Sequence, residues 1–421
     1  MKINLILLFL VSAVLFSCEK ETVISVSNPL DVSREDEVIV LSKAQIEANR
    51  LSVENKLPVF KSNGQVVPTQ PDDTDGDGNW DEVAVLLSFE ANETVELDLN
   101  WVPENEYPEF EKQTNLRLGI LQEDGSFKEV DQYRALPCDD GFEVIAQAES
   151  VSWENDKMGF RVYFDCRNVK DLFGKLKPGL ILDKIQSPEM GSYHELSDWG
   201  MDVLHCGSSL GSGGLALLKY DSLYRLGSTE VYEYRKVTEG PVRSVFDLIY
   251  KGWNVDGDEL QAVERISIYP GNYWFKSDVT VTGCPEGSQI VTGIVTSHLK
   301  REPFRFEAAD FQCIGTHGVQ SLNNDELGMA VLVPLKEAGK IGRTTDINFF
   351  KLGYETVVEK GFSNIISETY YIGQKCKSGV AAKHYFMAVW GLEKDQWKTE
   401  EGFRKYISEE AEKLSNPIFV K

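Results

Sequence analysis

Short runs of β-branched and aromatic residues recur along the whole chain, and Gly, Asn and Asp break them at frequent intervals. The clearest runs lie at residues 83–87, 161–164, 242–250, 263–269 and 382–390. Strands at this spacing, with little helical periodicity between them, are typical of antiparallel sheets. The sequence therefore predicts an all-β protein.

One helix is predicted near the C-terminal end, at about residues 399–414. Apolar residues recur there at helical spacing and form one face, which consists of Phe403, Ile407, Ala411 and Leu414. Glu and Lys occupy the opposite face, as expected of a helix that packs with one side on a larger structure. We interpret it as a structural cap.

The domain organisation is predicted from length and from one composition change. The 421 residues are enough for two or three domains. The segment WVPENEYPEFEK at 101–112 carries two prolines and several acidic residues, as a linking segment does. We expect a small N-terminal β-sandwich at 18–112, a connector at 113–135, and a large sandwich domain at 136–421 that includes the helix.

Charge excludes one class of partner. Lys and Arg number 43 and Asp and Glu number 67, which gives a net charge of −24. A chain this acidic would repel the phosphate backbone, so nucleic acid is not an expected partner. An anionic small substrate stays open, because a few arginines in a cleft can set the local field.

The first residues resemble a secretory leader. Lys2 precedes an apolar segment at 3–16, too short to span a membrane. The leader ends in Leu15-Phe16-Ser17-Cys18, a bacterial lipobox pattern. We expect residues 1–17 to be removed and Cys18 to be lipidated; an ordinary secretory signal with an incidental cysteine is the alternative. No aspartate follows Cys18, which favours anchoring to the outer membrane.

An acidic run at 72–82 could hold a cation. Its alternating carboxylates resemble those of calcium loops and are Asp73, Asp75, Asp77 and Asp81. The match to an EF-hand is incomplete, because Ala84 stands where the bidentate Glu should be. The expectation is a structural calcium ion, and the alternative is a polar hairpin turn.

Two segments carry residues suited to binding a sugar acid. Alternation in the strand at 160–165 places Arg161 and Tyr163 on one face, and Trp153 with Glu154 lies just upstream. An aromatic platform, a guanidinium and hydroxyl acceptors are what a uronic acid requires. In the second segment Tyr193, His194 and Asp202 precede a glycine-rich stretch, which suggests a loop over a cleft. Salt bridges and a packed loop are the respective alternatives.

Further candidates come from single strands. Arg243 and Arg265 lie on polar strand faces and could join Arg161 in lining one sheet, or could form ion pairs between sheets. His317 is flanked by glycine and His384 begins a strand, so either could act as an acid or base, although a structural histidine is the default. A zinc-binding HExxH motif does not occur, and the GxSxG match at 207–211 lacks the strand-to-helix context of a nucleophile elbow.

Together these segments resemble a family of bacterial lipoproteins of uncharacterised domain type that is encoded beside polysaccharide-degrading enzymes. The resemblance is carried by WEND, GFRVYFDCRN, YHELSDWGMDVLHCGSSLGSGG, GPVRSVFDLIYKGW and HYFMAVW. It implies a galactose mutarotase-like supersandwich. It also implies, for one class of members, an ulvan oligosaccharide dehydratase that converts a non-reducing-end glucuronic or iduronic acid to a 4,5-unsaturated uronic acid.

From the chemistry of that reaction we expect the following roles for the residues above. His194 and His384 are expected to be the acid–base pair, with Tyr193 and His317 as substitutes. Arg161 or Arg243 is expected to hold the uronate and Trp153 to form the sugar platform, while Glu154, Tyr163, Asp202 and Arg265 contact substrate. No cofactor is needed for this chemistry. The alternatives are a polysaccharide lyase, which expels a sugar instead of water, and a glycan-binding lipoprotein without catalysis.

The leader generates the first testable expectation. Replacement of Cys18 by Ser removes the thiol that carries the lipid, so the variant should move from the membrane to the soluble fraction. Fractionation followed by immunoblotting measures this. A variant that stays in the membrane fraction would contradict the lipobox interpretation.

Overall fold

The computed structural model describes residues 22–47, 55–135, 145–187, 189–227, 229–347 and 364–421. The leader and Cys18 lie outside these residues. None of the helices within the described ranges is both long and apolar enough to cross a membrane.

Strands dominate the described residues. The strands of the N-terminal part are β1 (Thr22–Ser27), β2 (Arg34–Ser42), β3 (Leu57–Ser62), β4 (Gln65–Val66), β5 (Thr69–Asp72), β6 (Glu82–Phe89) and β7 (Thr94–Val102), with the short helix α1 (Lys43–Glu47) between β2 and β3. The next strands are β8 (Thr114–Arg117), β9 (Gly119–Leu121), β10 (Phe127–Glu129), β11 (Gln132–Ala135), β12 (Ser150–Asn155), β13 (Met158–Tyr163), β14 (Lys170–Lys175), β15 (Gly200–Asp202), β16 (Ser212–Lys219) and β17 (Ser222–Arg225).

The longest strands come in the second half of the chain. They are β18 (Val231–Glu239), β19 (Ser244–Val255), β20 (Asp258–Ile268), β21 (Trp274–Thr282), β22 (Gln289–Val295), β23 (Phe304–Ala308), β24 (Phe311–Val319), β25 (Glu326–Pro334), β26 (Ala338–Arg343), β27 (Thr369–Lys375) and β28 (Ala381–Trp390), followed by helix α2 (Glu400–Ser415) and β29 (Phe419–Val420). The all-β prediction with one C-terminal helix is confirmed.

The N-terminal domain is a sandwich of two sheets. Within the described ranges their strand orders are β29-β1-β7-β3-β4 and β2-β6-β5. Alternate residues of the strands point between the sheets and form a small apolar core, which includes Val26, Leu41, Phe60, Val85 and Leu97. The prediction of a separate N-terminal sandwich agrees with this core.

The large domain is built on one broad sheet. Its order among the described strands is β11-β18-β19-β20-β21-β28-β25-β24-β23. Two further sheets, β15-β14-β13-β12-β8 and β17-β16-β22-β27-β26, pack against it, and a parallel bridge between Lys170 and Gly211 joins their edges. This layering is the supersandwich that the sequence resemblance implied. A broad sheet covered by a second layer leaves the outer face of that layer free to carry a site.

Aromatic rings fill the space between the layers. Trp153 is fully buried and stacks on Phe160 with ring centroids 5.8 Å apart, and it meets Phe275 edge-on at 5.2 Å. Offset-stacked and edge-on arrangements are the favoured geometries for aromatic pairs. A buried ion pair between Lys170 and Glu264, at 2.6 Å, also joins the two layers.

Helix α2 follows the predicted pattern. Thr399 begins it as the N-cap, because its hydroxyl accepts the Gly402 N–H at 3.1 Å. Phe403, Ile407 and Ala411 are buried against the broad sheet, as their spacing predicted. The helix therefore closes one end of the large domain.

The predicted boundaries are wrong in one place. Residues 113–135 are not a connector, because β8 pairs with β12 and β11 pairs with β18 inside the sheets of the large domain. The N-terminal sandwich is also completed from the other end of the sequence, since Val420 in β29 pairs with Val26 in β1. Composition could not show this, because strand pairing between distant segments leaves no local signal.

Arg243 joins the two domains. Its Nε donates to Asp72 at 2.7 Å and its Nη2 donates to Glu82 at 2.7 Å, both in the N-terminal sandwich. Gln70 of the same sandwich accepts the backbone N–H groups of Val242 and Arg243. Arg243 is almost fully buried here, so the expectation that it binds substrate is wrong. Its role is to hold the domains together.

This contact predicts a stability difference between two arginine variants. Arg243→Ala leaves the buried Asp72 carboxylate without its cation and should lower the free energy of unfolding by about 3 kcal/mol or more. Arg235→Ala should cost less than about 1 kcal/mol, since that side chain is half exposed and Arg265 still pairs with Asp247. Urea denaturation measures both; equal losses would contradict the interpretation.

Candidate functional site

The best-developed polar cluster on the outer layer is centred on Arg161 in β13. Asp171 lies directly opposite it in β14, and the next strand contributes Asp202. Arg161 Nη2 donates to Asp171 at 2.6 Å and to Asp202 at 2.6 Å, and its Nε donates to Asp171 at 3.0 Å. The three side chains are almost completely buried. Cross-strand neighbours on one face of an antiparallel sheet produce this arrangement.

Tyr163 extends the cluster toward the surface. Its hydroxyl accepts a hydrogen bond from Arg161 Nη2 at 2.9 Å and donates one to Asp171 at 3.0 Å. Burial raises the pKa of this phenol far above its ordinary value, and the charge on Asp171 raises it further. Tyr163 therefore keeps its proton under all working conditions and acts as a hydrogen-bond donor.

His194 is the exposed member of the cluster. Its Nδ1 lies 3.2 Å from Asp202 Oδ2, and 58% of its side chain is accessible to solvent. The ring of Tyr193 packs beside it with centroids 4.2 Å apart. The hydrogen bond to the Asp202 carboxylate raises the pKa of His194, because it favours the charged imidazolium. A carboxylate that orients an exposed imidazole is the usual environment of a general acid or base.

Asp171 differs electrostatically from Asp202. Burial and the neighbouring Asp202 carboxylate raise the pKa of Asp171 to about 6, although Arg161 acts in the opposite direction. The two carboxylates share the guanidinium of Arg161. The cluster as a whole thus presents an oriented imidazole, a protonated phenol and a buried carboxyl, that of Asp171, with a raised pKa.

A pair of stacked histidines includes His205, which lies three residues after Asp202 in sequence. His205 and His298 stack in parallel, with ring centroids 4.9 Å apart and an angle of 4° between their planes. His205 Nδ1 is 3.2 Å from Ser297 Oγ. Burial and the neighbouring His205 lower the pKa of His298, while Glu368 raises it. The thiol of Cys206, the next residue, is free and lies close enough to Asp171 for that carboxylate to raise its pKa.

Local sequence carries no signal for this histidine pair, because His205 lies in an apolar stretch and His298 in a turn-like segment. The stacking joins two segments that are far apart in sequence, so only the fold brings the two rings together.

Several sequence-predicted residues do not belong to the site. Trp153 is part of the aromatic core and cannot form a sugar platform, because none of its surface reaches solvent. Glu154 is buried as well: it pairs with Lys175 and accepts the backbone N–H groups of Ile181 and Leu182. Both lie on strand β12, whose two faces are covered, and alternation alone could not reveal that.

His384 and His317 are also structural. His384 is fully buried, and burial together with the nearby charge of Lys170 lowers its pKa to about 3, so it stays neutral near pH 7. His317 is buried beside Phe403, and its Nε2 lies 2.9 Å from the backbone oxygen of Trp397 at the start of the C-terminal helical region. Neither can reach a substrate, so the acid–base pairing of His194 with His384 is wrong.

Arg265 is a surface ion-pair residue. It donates to Asp247 from Nε at 2.7 Å and from Nη2 at 3.0 Å, and Arg235 shares the same carboxylate. This is the salt-bridge alternative considered for the strand arginines. Arg161, Arg243 and Arg265 therefore do not line one sheet face.

The geometry of the acidic run at 72–82 is compatible with both interpretations, the calcium site and the polar hairpin turn. Carboxylate oxygens of Asp73, Asp75 and Asp81 converge within 4.8 Å of one another, as a cation site requires. The same groups also cap the turn: Asp73 accepts the N–H groups of Gly76 and Gly78, and Asp81 accepts that of Thr74. Asp77 faces Asn79 instead. Calcium at this turn stays a prediction.

The fold and the cluster define a β-sandwich protein with a histidine–carboxylate–arginine site on its outer layer. Residues 26–420 match the domain of unknown function family DUF4861, and the chain belongs to this family. It is also 27% identical to the "Uncharacterized protein P7" of Formosa agariphila, over all of this chain and 99% of that protein. The family resemblance seen in the sequence is confirmed.

Solved structures show more distant likeness. An alpha-mannosidase from Enterococcus faecalis V583 is 8% identical with a TM-score of 0.48, and a Glycosyl Hydrolase Family 38 protein from Enterococcus faecalis is 9% identical with a TM-score of 0.49. Each match covers 96% of this chain, but the chain spans less than half of those proteins (46% and 47%). A Klebsiella pneumoniae protein described as a candidate aldose 1-epimerase is 10% identical, over 72% of this chain and 97% of its own, with a TM-score of 0.30. These likenesses are too distant to indicate an activity.

The Asp202–His194 contact predicts a pH effect. Because the carboxylate raises the pKa of His194, this contact stabilises the folded chain below the histidine's unfolded pKa, and the contribution is lost as the pH rises through the folded pKa. Asp202→Asn should lower the His194 pKa in an NMR titration. Asp198→Asn is the matched control, since that exposed aspartate in the same loop pairs with Lys177. An unchanged His194 titration in a folded Asp202→Asn variant would contradict the assignment.

Proposed function

We propose that this protein is an oligosaccharide dehydratase that removes water by β-elimination from the non-reducing-end uronic acid of ulvan fragments. The single observation that carries the proposal is His194, which is exposed and oriented by the buried Asp202 carboxylate, while the phenol of Tyr163 is bonded to the same Arg161 that holds Asp202. The family resemblance contributes the substrate class. A lipid anchor at Cys18 and an outer-membrane location, with the periplasmic face favoured for small oligosaccharides, belong to the same proposal.

The reaction needs a base and an acid at fixed positions. A base removes the proton at C5, which is weakly acidic because it lies next to the carboxyl group. The C4 hydroxyl then leaves and must receive a proton. The balance is one proton from C5 to the base, one proton from the acid to the departing oxygen, and a new C4–C5 double bond.

His194 fits the base. Its neutral form accepts the C5 proton, and the Asp202 carboxylate stabilises the imidazolium that results. Tyr163 fits the acid. Its raised pKa keeps the phenol protonated, so the hydroxyl can offer a proton to the departing C4 oxygen. Tyr193 lies beside His194 and is the alternative donor.

Arg161 takes a different role from the one expected. Its donors are committed to Asp171, Asp202, Tyr163 and the Ala148 carbonyl, and its side chain is buried, so it does not bind the uronate. It is a positioning residue that orients Asp202 and Tyr163. We propose that the exposed His298, stacked on His205, contacts the uronate as a neutral hydrogen-bond donor, because its lowered pKa disfavours the charged imidazolium.

A polysaccharide lyase is the second candidate. It would use the same base and acid and expel a sugar instead of water, and the high exposure of His194 is compatible with a longer chain lying across the site. A non-catalytic glycan-binding protein is the third. It would not need an oriented imidazole beside a protonated phenol.

Activity on ulvan oligosaccharides tests the proposal. With a saturated glucuronic acid at the non-reducing end, the protein should generate ultraviolet absorbance of an unsaturated uronate, and mass spectrometry should show loss of one water without chain cleavage. His194→Ala should reduce turnover by about 10²-fold or more, since a general acid or base contributes about that much. Glu195→Gln, an exposed neighbour in the same loop, is the control and should retain full turnover.

The outcomes separate the candidates. Chain cleavage with two fragments identifies a lyase. Binding without a new product identifies a glycan-binding protein. Wild-type turnover in His194→Ala would contradict the assignment of His194 and leave the activity itself intact.

A further inference from the structure

A groove of about 780 Å³ lies at one open end of the large sandwich, apart from the Arg161 cluster. The β25–β26 turn, the start of β28, the end of β27 and the last residues of helix α2 surround it. Its volume is in the range of sites that hold small ligands or short oligosaccharides. It shares no lining residue with the candidate active site.

Four lysines line this groove: Lys336, Lys375, Lys377 and Lys383. Only two acidic residues, Asp310 and Glu337, lie among the lining residues, so the groove has a formal charge of 4 − 2 = +2. The chain as a whole has a net charge of −24. A positive groove on such a protein is a local exception that attracts anions while the remaining surface repels them.

The four lysines have no salt-bridge partner among the described residues, in contrast to Lys170, Lys175 and Lys219 elsewhere in the fold. Lys375 Nζ donates to a lysine backbone oxygen, that of Lys336, at 3.5 Å. All four side chains are exposed. Partial burial lowers the pKa of Lys383, and the positive charges of Lys276 and Lys336 lower it further, while Asp278 acts in the opposite direction. An anion in the groove would relieve this repulsion.

The floor of the groove is apolar. Val380 is 55% exposed and Leu335 is 41% exposed, and Ala381 lies next to Val380. Apolar surface flanked by ammonium groups suits a ligand with C–H faces and peripheral negative charges, as a sulfated or uronic-acid sugar has. A concave shape of this size fits a few sugar residues better than the flat surface of a membrane.

We propose that this four-lysine groove is a second binding site for an anionic oligosaccharide segment, separate from the site of catalysis. It would hold a carboxylated or sulfated part of the glycan through ammonium contacts and seat the sugar faces on Val380 and Leu335. The preference for anions follows from the groove itself. The choice of ulvan as the natural ligand rests on the proposed function.

Binding to polysaccharides in an affinity gel tests the groove. The double variant Lys336→Glu/Lys377→Glu reverses two of the four charges. Its affinity for ulvan should fall by about 10-fold or more, and the salt dependence of its binding should become weaker than that of the wild type. Lys56→Glu/Lys128→Glu is the matched control, because both lysines are exposed and neither lines the groove. It makes the same charge change and should bind as the wild type does.

Four further arms make the result decisive. Polygalacturonate should bind in the same way if carboxylates suffice, and neutral dextran should not bind. Turnover of short ulvan oligosaccharides should be unchanged in the double variant, which separates a failure of this proposal from a failure of the proposed function. Equal affinity of both double variants for ulvan would overturn the proposal. Lysine-dependent binding to vesicles of anionic phospholipid, without binding to ulvan, would overturn it as well.

Discussion

The buried guanidinium of Arg161 is the interaction on which the outer-layer site depends. It lies between two carboxylates that would otherwise repel each other in a medium of low polarity, and such a cluster is stable only if each charge is paired and hydrogen-bonded. Asp202 in turn orients His194, and Tyr163 completes the donors and acceptors. The position of the exposed His194 imidazole thus depends on the buried charge of Arg161, through Asp202.

The same reasoning explains why the layers of the large domain are so specific. Apolar burial alone is compatible with many strand registers. A one-residue slip would turn the side chain of Lys170 or Glu264 to the opposite face of its sheet and leave the other charge unpaired. The aromatic cluster around Trp153 supplies most of the apolar contact, and the ion pair restricts how the sheets can meet. Stability and precision therefore come from different residues.

Sequence patterns predict local properties, such as the ends of a helix and the face of a strand. They do not predict which residues from distant segments come into contact. Helix α2 was predicted within a residue at each end, because Phe403, Ile407 and Ala411 repeat at helical spacing. Alternation placed Arg161 and Tyr163 on one face, and they do share it. Trp153 pairs with Phe160 and lies on the opposite face, which the broad sheet covers, and that covering is a tertiary property. The stacking of His205 on His298 depends on two distant segments, and no local pattern carries it.

The pairing of β29 with β1 has a consequence for the edge of the N-terminal sandwich. Residues 419–420 are far from β1 in sequence, yet they cover the edge of the first described strand. Until the two strands pair, that edge is available to other strands, and exposed edges invite misassociation between chains. Protection of this edge therefore depends on the meeting of two segments from opposite ends of the described residues.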